Sequence, residues 1–460
     1  MSAYLKTSNE RLRNNTKMEI RLSDHFTYKK LLRFTFPSIV MMIFTSIYGV
    51  VDGFFVSNFV GKTPFAAVNF IMPFLMILGA FGFMFGSGGS ALISKTLGEG
   101  NREKANRIFS MLLFVTLVFG VAITLLGIIF IRPIAALLGA DGSMLEDCVM
   151  YGRIILLALP AFMLQFEFQS FFVTAEKPQL GLAVTVAAGV TNMVLDALLV
   201  AIFPLGLVGA ALATSISQCV GGIVPLIYFL RPNTSLLSIT RARFDGRAFW
   251  KICVNGSSEL MSNISMSIVG MLYNVQLLSY AGENGVAAYG VLMYVNMIFL
   301  AAFIGYSVGT APVIGYHYGA GNTAELKSLL RKSFIIIGIF SVSMLLAAEL
   351  LAYPLSLLFV GYDAELLRLT VSGFVIYSFS FLFAGIAIYG SSFFTALNDG
   401  LTSALISFLR TLVFQIAAVL IFPLIWGIDG IWLSIVAAEL MATAVTLFFL
   451  ILKRKQYGYL

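Results

Sequence analysis

Histidine, cysteine and charged residues are all scarce in this chain. Its 460 residues include two histidines, three cysteines and only 11% Asp, Glu, Lys and Arg. Cys148, Cys219 and Cys253 are odd in number and far apart, so they predict neither a disulfide framework nor a metal site. His25 and His317 are too distant in the sequence to indicate a ligand pair. No resident cofactor is therefore expected.

Apolar residues dominate instead. They make up 59% of the chain and raise its mean hydropathy to +0.94, which excludes a water-soluble globular domain. A bilayer span needs about 20 consecutive apolar residues, and runs of that length recur. They predict an all-α integral membrane protein with twelve transmembrane helices, at 34–59, 67–94, 107–131, 150–173, 179–202, 207–230, 250–280, 286–317, 333–359, 369–396, 401–423 and 430–452.

The net charge of +7 is unevenly distributed along the chain. If the N-terminus is cytoplasmic, the inner segments hold 24 of the 29 Lys and Arg residues, and the outer segments hold four. This imbalance predicts a multi-pass protein of the cell membrane with both termini cytoplasmic, and it accounts for the charge without nucleic acid binding. The basic segment 1–33 lacks the pattern of a secretory signal peptide, so the first helix is expected to act as the insertion signal.

A repeat at an offset of 221 residues divides the chain into two similar halves. Residues 46–61 align without gaps to residues 267–282, and "GEGN" at 98–101 aligns to "GAGN" at 319–322. Because each half has six helices, the two repeats are parallel, and we expect lobes at 34–230 and 250–452. A cytoplasmic linker at 231–249 joins them, and a tail follows at 453–460.

Two acids lie inside predicted spans of the first lobe. Asp52 interrupts the apolar run "SIYGVVDGFF", and Asp196 follows Asn192 by four residues, which puts both on one helix face. A carboxylate at bilayer depth is a functional candidate because it must be paired, hydrated or protonated. The shared fold does not require these charges, since the residues aligned at the same offset are Tyr273, Val413 and Ala417.

The expected depths of these polar residues in the membrane put them in one layer. At about 1.5 Å per residue, Asp52, Asn192, Asp196 and Thr214 lie roughly 9 to 15 Å from the predicted outer ends of their helices. Tyr48, one turn before Asp52, shares its face. Such a cluster predicts a site that shares a proton or holds a small cation such as Na+. The alternative is a buried hydrogen-bonded network without ion traffic.

These motifs resemble the MATE family of multidrug and toxic compound extrusion transporters, in its DinF-like or MepA-like branch. The resemblance is carried by Pro37 in the first helix and by the runs "VVDGFFVSNFVG", "GEGN", "TNMVLDALLV" and "GAALATSISQ". It covers residues 30–450 and is specific in combination. It implies two six-helix lobes around a central cleft, and drug efflux driven by inward H+ or Na+ flow.

The resemblance also implies roles for single residues. Asp52, Asn192, Asp196 and Thr214 match the first-lobe cation site of the family, and Tyr48 stands beside them. Pro37 matches a proline associated with bending of the first helix. The family often has a proline early in the seventh helix, where this chain reads "NGSSEL" at 255–260, so bending there is not implied.

Flexible thioethers and polar groups suggest where a substrate would lie. Two methionines one turn apart in the second helix recur in the eighth, and thioethers suit a pocket that accepts many apolar shapes, although ordinary packing is the alternative. The expected cleft residues are Met72, Met76, Met293, Met297, Gln165 and Glu167. Other intramembrane charges are Glu259, Arg410 and Glu439, for which structural ion pairs or hydrogen bonds are the simpler interpretation.

Three other functional classes are less compatible with the sequence. An enzyme would need a histidine or another catalytic partner near Asp52, and a channel would repeat its polar filter in both halves. A flippase for a lipid-linked cell-envelope precursor would need cations for pyrophosphate, whereas the spans hold mainly acids. The sequence therefore predicts a monomeric secondary antiporter that exports lipophilic, mainly cationic drugs, with the flippase as the alternative.

Overall fold

Helices form every regular element of the part of the chain that the computed structural model describes, residues 20–459. The predicted N-terminal segment 1–33 therefore lies mostly outside the described residues. The first half contains α1 Tyr28–Phe55, α2 Lys62–Gly98, α3 Arg102–Leu138, α4 Gly142–Leu157, α5 Leu159–Thr174, α6 Pro178–Asp196 and α7 Gly206–Leu230. Two π-helical segments, π1 at Val56–Val60 and π2 at Ala197–Ile202, continue α1 and α6.

The second half repeats this arrangement. Its helices are α8 Gly246–Gly319, α9 Thr323–Val360, α10 Ala364–Ser378, α11 Phe381–Ala396, α12 Gly400–Phe408, α13 Phe414–Ile421 and α14 Pro423–Tyr457. A third π-helical segment, π3 at Leu409–Val413, joins α12 to α13. Because α8 begins at Gly246, the connection between the halves is shorter than the predicted linker 231–249.

Twelve crossings result within the described residues. Nine helices are long and apolar enough to span a membrane, and the bent pairs α4–α5 (57°) and α10–α11 (49°) each add one span. With 74 residues α8 is far too long for one span, and it is interrupted at Gly282 (φ +61°, ψ −150°). It therefore crosses twice, which brings the total to twelve. The predicted fold class, twelve helices in an all-α membrane protein, is confirmed.

Two predicted helices are not continuous. The helix expected at 150–173 breaks at Ala158, because Pro160 cannot donate a backbone hydrogen bond and disfavours helical geometry before it. The helix expected at 369–396 breaks between Ser378 and Phe381, where the chain has no proline. The first break carries a sequence signal, and the second does not.

The repeated "G-x-G-N" motifs are turns between long helices. Gly100 (φ +81°) and Gly321 (φ +67°) take left-handed backbone geometry that favours glycine. The side chains of Asn101 and Asn322 then accept hydrogen bonds from backbone N–H groups two or three residues into α3 and α9. Each motif thus ends one helix and caps the next, which explains its recurrence in both halves.

Both ends of the described chain lie at one end of the bundle, called here the terminal face. It carries the start of α1, the end of α14, the connection 231–245 and the turns α2–α3, α5–α6, α8–α9 and α11–α12. Side chains of α3 fasten the connection. Arg102 donates to the Ser235 and Leu236 carbonyls, Asn106 bonds to Ser238, and Ser110 accepts from the Thr240 backbone N–H.

The two halves touch most closely toward the terminal face. A Cβ added to Gly256 of α8 would lie 1.9 Å from the Met84 carbonyl oxygen of α2, and one added to Gly319 would lie 2.0 Å from the Lys95 oxygen. Toward the other end of the bundle, Gly49 of α1 has no neighbouring atom within 4 Å of such a position. We call the contact between α2 and α8 the seam.

Candidate functional site

The four polar residues predicted to form a cation site do come together. Asp52 lies in the last turn of α1, and the Thr214 hydroxyl of α7 donates a hydrogen bond of 3.3 Å to its Oδ1. Asn192 and Asp196 of α6 lie beside the same carboxylate. Three helices that are distant in sequence therefore deliver their polar groups to one point.

A π-helical segment begins directly after Asp196 and four residues after Asp52. Asp52 precedes π1, and Asp196 is the last residue of α6 before π2. The two segments contact each other. Insertions of this kind are rare and often mark functional sites, because they re-aim side chains within an otherwise regular helix. Here they turn α1 and α6 at the level where the carboxylates face one another.

The buried oxygens of this cluster are under-satisfied. Asp196 has no exposed surface and Asn192 only 1%. Within residues 20–459, neither carboxylate oxygen of Asp196 nor Oδ1 of Asn192 has a hydrogen-bond partner. No ion pair joins Asp52 or Asp196 to a basic side chain in that range. Two adjacent carboxylates, of which Asp196 has no donor in the described part of the chain and Asp52 has the Thr214 hydroxyl, are accommodated when a proton or a cation neutralises them.

Tyr48 links the cation cluster to a residue predicted for the cleft. Its hydroxyl accepts a hydrogen bond of 3.5 Å from Nε2 of Gln165 on α5. Gln165 is 3% exposed and is pressed against Gly221 of α7. In this conformation Gln165 therefore supports Tyr48 within the first half.

Tyr151 of α4 belongs to the site and was not predicted. Its side chain is fully buried, lies near Asp52, Asp196 and Thr214, and its hydroxyl contacts the Met72 sulfur at 3.9 Å. The helix expected to start at 150 would have put Tyr151 at the membrane surface. Since α4 begins at Gly142, Tyr151 lies about 14 Å inside the helix, at the depth of the acids.

The donor set has the chemistry of a small hard cation or a proton. It offers two carboxylates, one amide oxygen and two hydroxyls, and oxygen ligands of this kind suit hard cations. Among residues 20–459, no group of three or more His, Cys, Asp and Glu side chains is placed to hold a metal ion. A donor set made of oxygen atoms alone is typical of sites for hard cations.

The corresponding position of the second half is neutral and fully bonded. Tyr273, which aligns with Asp52, hydrogen-bonds through its hydroxyl to Gln415 Oε1 at 2.8 Å and to Ser434 Oγ at 2.7 Å. Its ring stacks on Tyr289 at 5.4 Å. No unpaired charge arises there, so the two halves differ chemically at equivalent places.

The remaining intramembrane charges of the second half have partners within that half. Arg410 in π3 donates through Nε to both carboxylate oxygens of Glu439 on α14, at 2.8 and 3.1 Å. Glu259 of α8 lies within electrostatic range of the same guanidinium. Glu349 of α9, which was not singled out from the sequence, accepts a hydrogen bond from Ser378 at the break between α10 and α11.

The residues predicted for the cleft differ in accessibility. Met76 of α2 and Met297 of α8 are 40% and 43% exposed. Met72 and Met293 are packed against the apolar cores of their own halves. Glu167 has no exposed surface, and both of its oxygens lack a hydrogen-bond partner among the described residues. Whether these side chains contact a substrate stays a prediction.

Pro37 lies in the terminal half of α1, where the two halves touch. The helix continues through it. On either side, Thr35 and Ile39 pack against Gly309 and Gly305 of α8, whose added Cβ atoms would lie 3.0 and 2.5 Å away. The proline thus lies roughly 22 Å along α1 from Asp52, and its role in bending stays a prediction.

Comparison with known proteins agrees with these observations. The MatE family model matches twice, at residues 37–198 and 260–421. Two similar curated proteins are multidrug export proteins MepA. The one from Staphylococcus saprophyticus is 26% identical over 434 residues (93% of this chain, 94% of that protein), and the one from Staphylococcus aureus strain MRSA252 is 25% identical over 435 residues (93% and 94%).

Solved structures agree as well. An outward-facing multidrug resistance MATE family transporter of the MOP superfamily superposes with a TM-score of 0.90 at 23% identity, covering 97% of this chain and 100% of that one. The double match of the family model also fits the internal repeat seen in the sequence. The chain therefore belongs to the MatE family, and the protein is a membrane transporter and not an enzyme.

Proposed function

We propose that this transporter exports lipophilic, mainly cationic compounds from the cell in exchange for H+ or Na+ that enters through the site around Asp52 and Asp196. The observation that supports this most strongly is the pair of adjacent carboxylates, Asp52 with a single hydroxyl donor and the buried Asp196 with none, which among residues 20–459 has no counterpart at the aligned positions of the second half. The MepA proteins that the chain resembles are multidrug export proteins.

The coupling ion is proposed to neutralise the carboxylate pair. Two carboxylates in contact repel each other unless a proton is shared or a cation lies between them. Binding of either ion would draw Asp52 of α1 toward Asp196 of α6, and release would let the helices separate. The amide of Asn192 and the hydroxyls of Thr214 and Tyr151 supply neutral oxygens, which suits an ion with a single positive charge.

The orientation of the protein in the membrane is inferred from its charge distribution, and the parts that move are inferred from its two lobes. We propose that the terminal face is cytoplasmic, because the segments on that side carry most of the Lys and Arg residues. The lobes 34–230 and 250–452 would then move relative to each other, opening and closing the seam, with the linker 231–249 between them and the segments 1–33 and 453–460 on the cytoplasmic side. The protein would act as a monomer in the cell membrane.

Substrate charge is inferred from the charges within the membrane. Among residues 20–459, Asp52, Asp196 and Glu167 form no ion pair with a basic side chain, whereas the intramembrane Arg410 is held by Glu439. A lipophilic cation would find compensating charge, and an anion would not. The pyrophosphate of a lipid-linked precursor would need free cations, so the contacts of Arg410 disfavour the flippase alternative.

Apolar contacts are proposed to come from the exposed thioethers. Met76 and Met297 present flexible sulfur-bearing side chains on α2 and α8, one from each half. The Met297 carbonyl accepts a hydrogen bond of 3.4 Å from Ser46 of α1. A substrate held near this contact would therefore sense changes in α1, the helix that carries both Pro37 and Asp52.

Dye uptake into inverted vesicles tests the proposal, because the cytoplasmic face of such vesicles is outside and export from the cell becomes transport into the lumen. Vesicles containing the parent protein receive a proton gradient or a sodium gradient, one at a time, and transport of an ethidium-like cation and of an organic anion is followed by fluorescence. The proposal expects cation transport with one of the two gradients. Preferential transport of the anion, or transport that needs neither gradient, would contradict it.

A further inference from the structure

The segment Ile20–Phe26, called here the strap, runs across the terminal face before α1 begins. Leu22 and Phe26 are fully buried although they precede the first helix. Both belong to an apolar cluster built mainly from the second half, including Leu326 and Tyr459, to which α5 of the first half contributes Val173. The strap therefore lies where the two halves meet.

Several polar contacts fix the strap to the second half. Glu325, in the first turn of α9, accepts a hydrogen bond of 2.9 Å from the Phe26 backbone N–H and contacts His25 Nδ1 at 2.6 Å. The Lys332 ammonium donates to the Phe26 carbonyl. The Glu325 side chain is only 7% exposed. Together with the buried side chains, these contacts make the second half the main anchor of the strap.

A backbone hydrogen bond joins the strap to the turn between α5 and α6 of the first half. The Leu22 backbone N–H donates a hydrogen bond of 2.5 Å to Oε1 of Glu176, in the turn between α5 and α6. Glu176 has φ +62°, a left-handed geometry that is uncommon for a residue with a Cβ. Strained backbone persists where the surroundings over-determine it, often at functional contacts.

The equivalent turn of the second half makes a matching contact. Asn398, between α11 and α12, has φ +60°, and within residues 20–459 it shares positive φ with Glu176 alone among non-glycine residues. Its Nδ2 donates to the Ala91 carbonyl of α2 at 3.1 Å, and its Oδ1 accepts from Asn255 of α8 at 2.8 Å. Both strained residues thus lie in equivalent turns. Asn398 reaches across to the first half, and Glu176 reaches the strap that is anchored on the second half.

We propose that Glu176 and Asn398 are paired latches that hold the terminal face closed, and that the strap stays on the second half and leaves Glu176 when the halves separate. Separation should break the strap at Glu176, because the Leu22–Glu176 hydrogen bond there is opposed by several polar contacts and two buried side chains on the second half. The inference goes beyond the proposed function. It requires only that the halves of a transporter part at this face, whichever ion or substrate drives the movement.

A spin-label distance measurement on the full-length protein tests the latches. Lys104 of α3 and Lys327 of α9 are exposed, lie on opposite halves at the terminal face and make none of the latch contacts. In a variant with the three native cysteines replaced, labels at these positions report the closed and open populations without substrate or gradient. Failure of the ion-coupling proposal would therefore leave this measurement unaffected.

Two substitutions at Glu176 separate the latch from backbone strain. Glu176→Gly removes the carboxylate and tolerates the left-handed geometry, whereas Glu176→Gln keeps an acceptor oxygen. Loss of a hydrogen bond to a charged group should raise the ratio of open to closed protein about tenfold. We expect this rise for Glu176→Gly, a comparable or smaller rise for Asn398→Gly, and a ratio near the parent value for Glu176→Gln.

Hydrogen exchange provides a second readout that does not depend on the labels. In Glu176→Gly the Leu22 amide should lose protection, while the Phe26 amide, bonded to Glu325, should keep it. An unchanged distance distribution together with an unchanged Leu22 amide would overturn the proposal. So would equal opening in the Gly and Gln variants, because the hydrogen-bond acceptor that glutamine keeps would then not hold the strap.

Discussion

Gly256→Ala should weaken the closed terminal face. The new Cβ would lie 1.9 Å from the Met84 carbonyl oxygen and 2.7 Å from its carbon, both of them backbone atoms that cannot swing aside. Carbon atoms pack at about 3.5 to 4.0 Å, so α2 and α8 must move apart by more than 1 Å. Overpacking of this kind costs about 1–3 kcal/mol.

The expected shift is large because two helix backbones are involved. At about 2–3 kcal/mol, the ratio of closed to open protein should fall roughly 30- to 150-fold, given a factor of ten per 1.4 kcal/mol. The distance between labels at Lys104 and Lys327 measures this ratio directly. A melting curve of the purified protein in detergent shows whether the variant remains folded.

Gly290→Ala is the matched control on the same helix. No atom lies within 4 Å of its added Cβ, so alanine should leave the label distances at the parent values, with a slight gain in helix stability. If Gly256→Ala gives the same distances and melting temperature as Gly290→Ala, the backbones of α2 and α8 do not approach as described, and the argument for the seam fails.

Three further substitutions probe other parts of the molecule. Arg410→Met should lower the melting temperature markedly, by a cost of about 3–5 kcal/mol, because Glu439 is left buried without its partner. The double variant Arg410→Met with Glu439→Met should recover most of that loss. Tyr151→Phe should keep the fold and weaken binding of the coupling ion roughly 2- to 10-fold in a direct titration. Pro37→Ala should retain ion binding, but its drug affinity in detergent should respond little to acidification or sodium, whereas that of the parent should fall.

Each of these predictions has a distinct failure. The exposed pair Arg132 and Glu146 is the control for the buried one, and Arg132→Met should cost at most about 1 kcal/mol. If Arg132→Met lowered the melting temperature as much as Arg410→Met, burial of the ion pair would not determine the cost of breaking it. Full ion affinity in Tyr151→Phe would remove the tyrosine from the site. A full dependence of drug affinity on the ion in Pro37→Ala would mean that coupling runs by another route.

The fold could be predicted from the sequence because apolar runs of span length recur along the chain and because the second half repeats the pattern of the first. The break at Ala158 could be expected from Pro160, but the one between Ser378 and Phe381 has no proline to mark it. The π-helical segments after Asp52 and Asp196 have no sequence signal either, because one extra apolar residue in an apolar helix leaves the hydropathy pattern unchanged.

The candidate site was only partly predictable. Asp52, Asn192, Asp196 and Thr214 could be found because charge and depth coincide in apolar spans. Tyr151 was not predicted because a tyrosine near a helix end is typical of the membrane interface. Its depth depends on where α4 begins. The pairing of Arg410 with Glu439 joins different helices, and no local spacing indicates such a contact.

Release of the coupling ion on drug binding tests the central claim most directly. Purified parent protein, Asp52→Asn and Asp196→Asn are titrated with a cationic dye in weakly buffered solution, and released protons or displaced radioactive sodium are counted. If the carboxylate pair holds the ion, binding linkage requires that the dye expel it from the parent. The exposed control Asp429→Asn should release as much ion as the parent, and the two site variants should release none. Equal release from Asp52→Asn, Asp196→Asn and the parent would contradict the assignment of the coupling site.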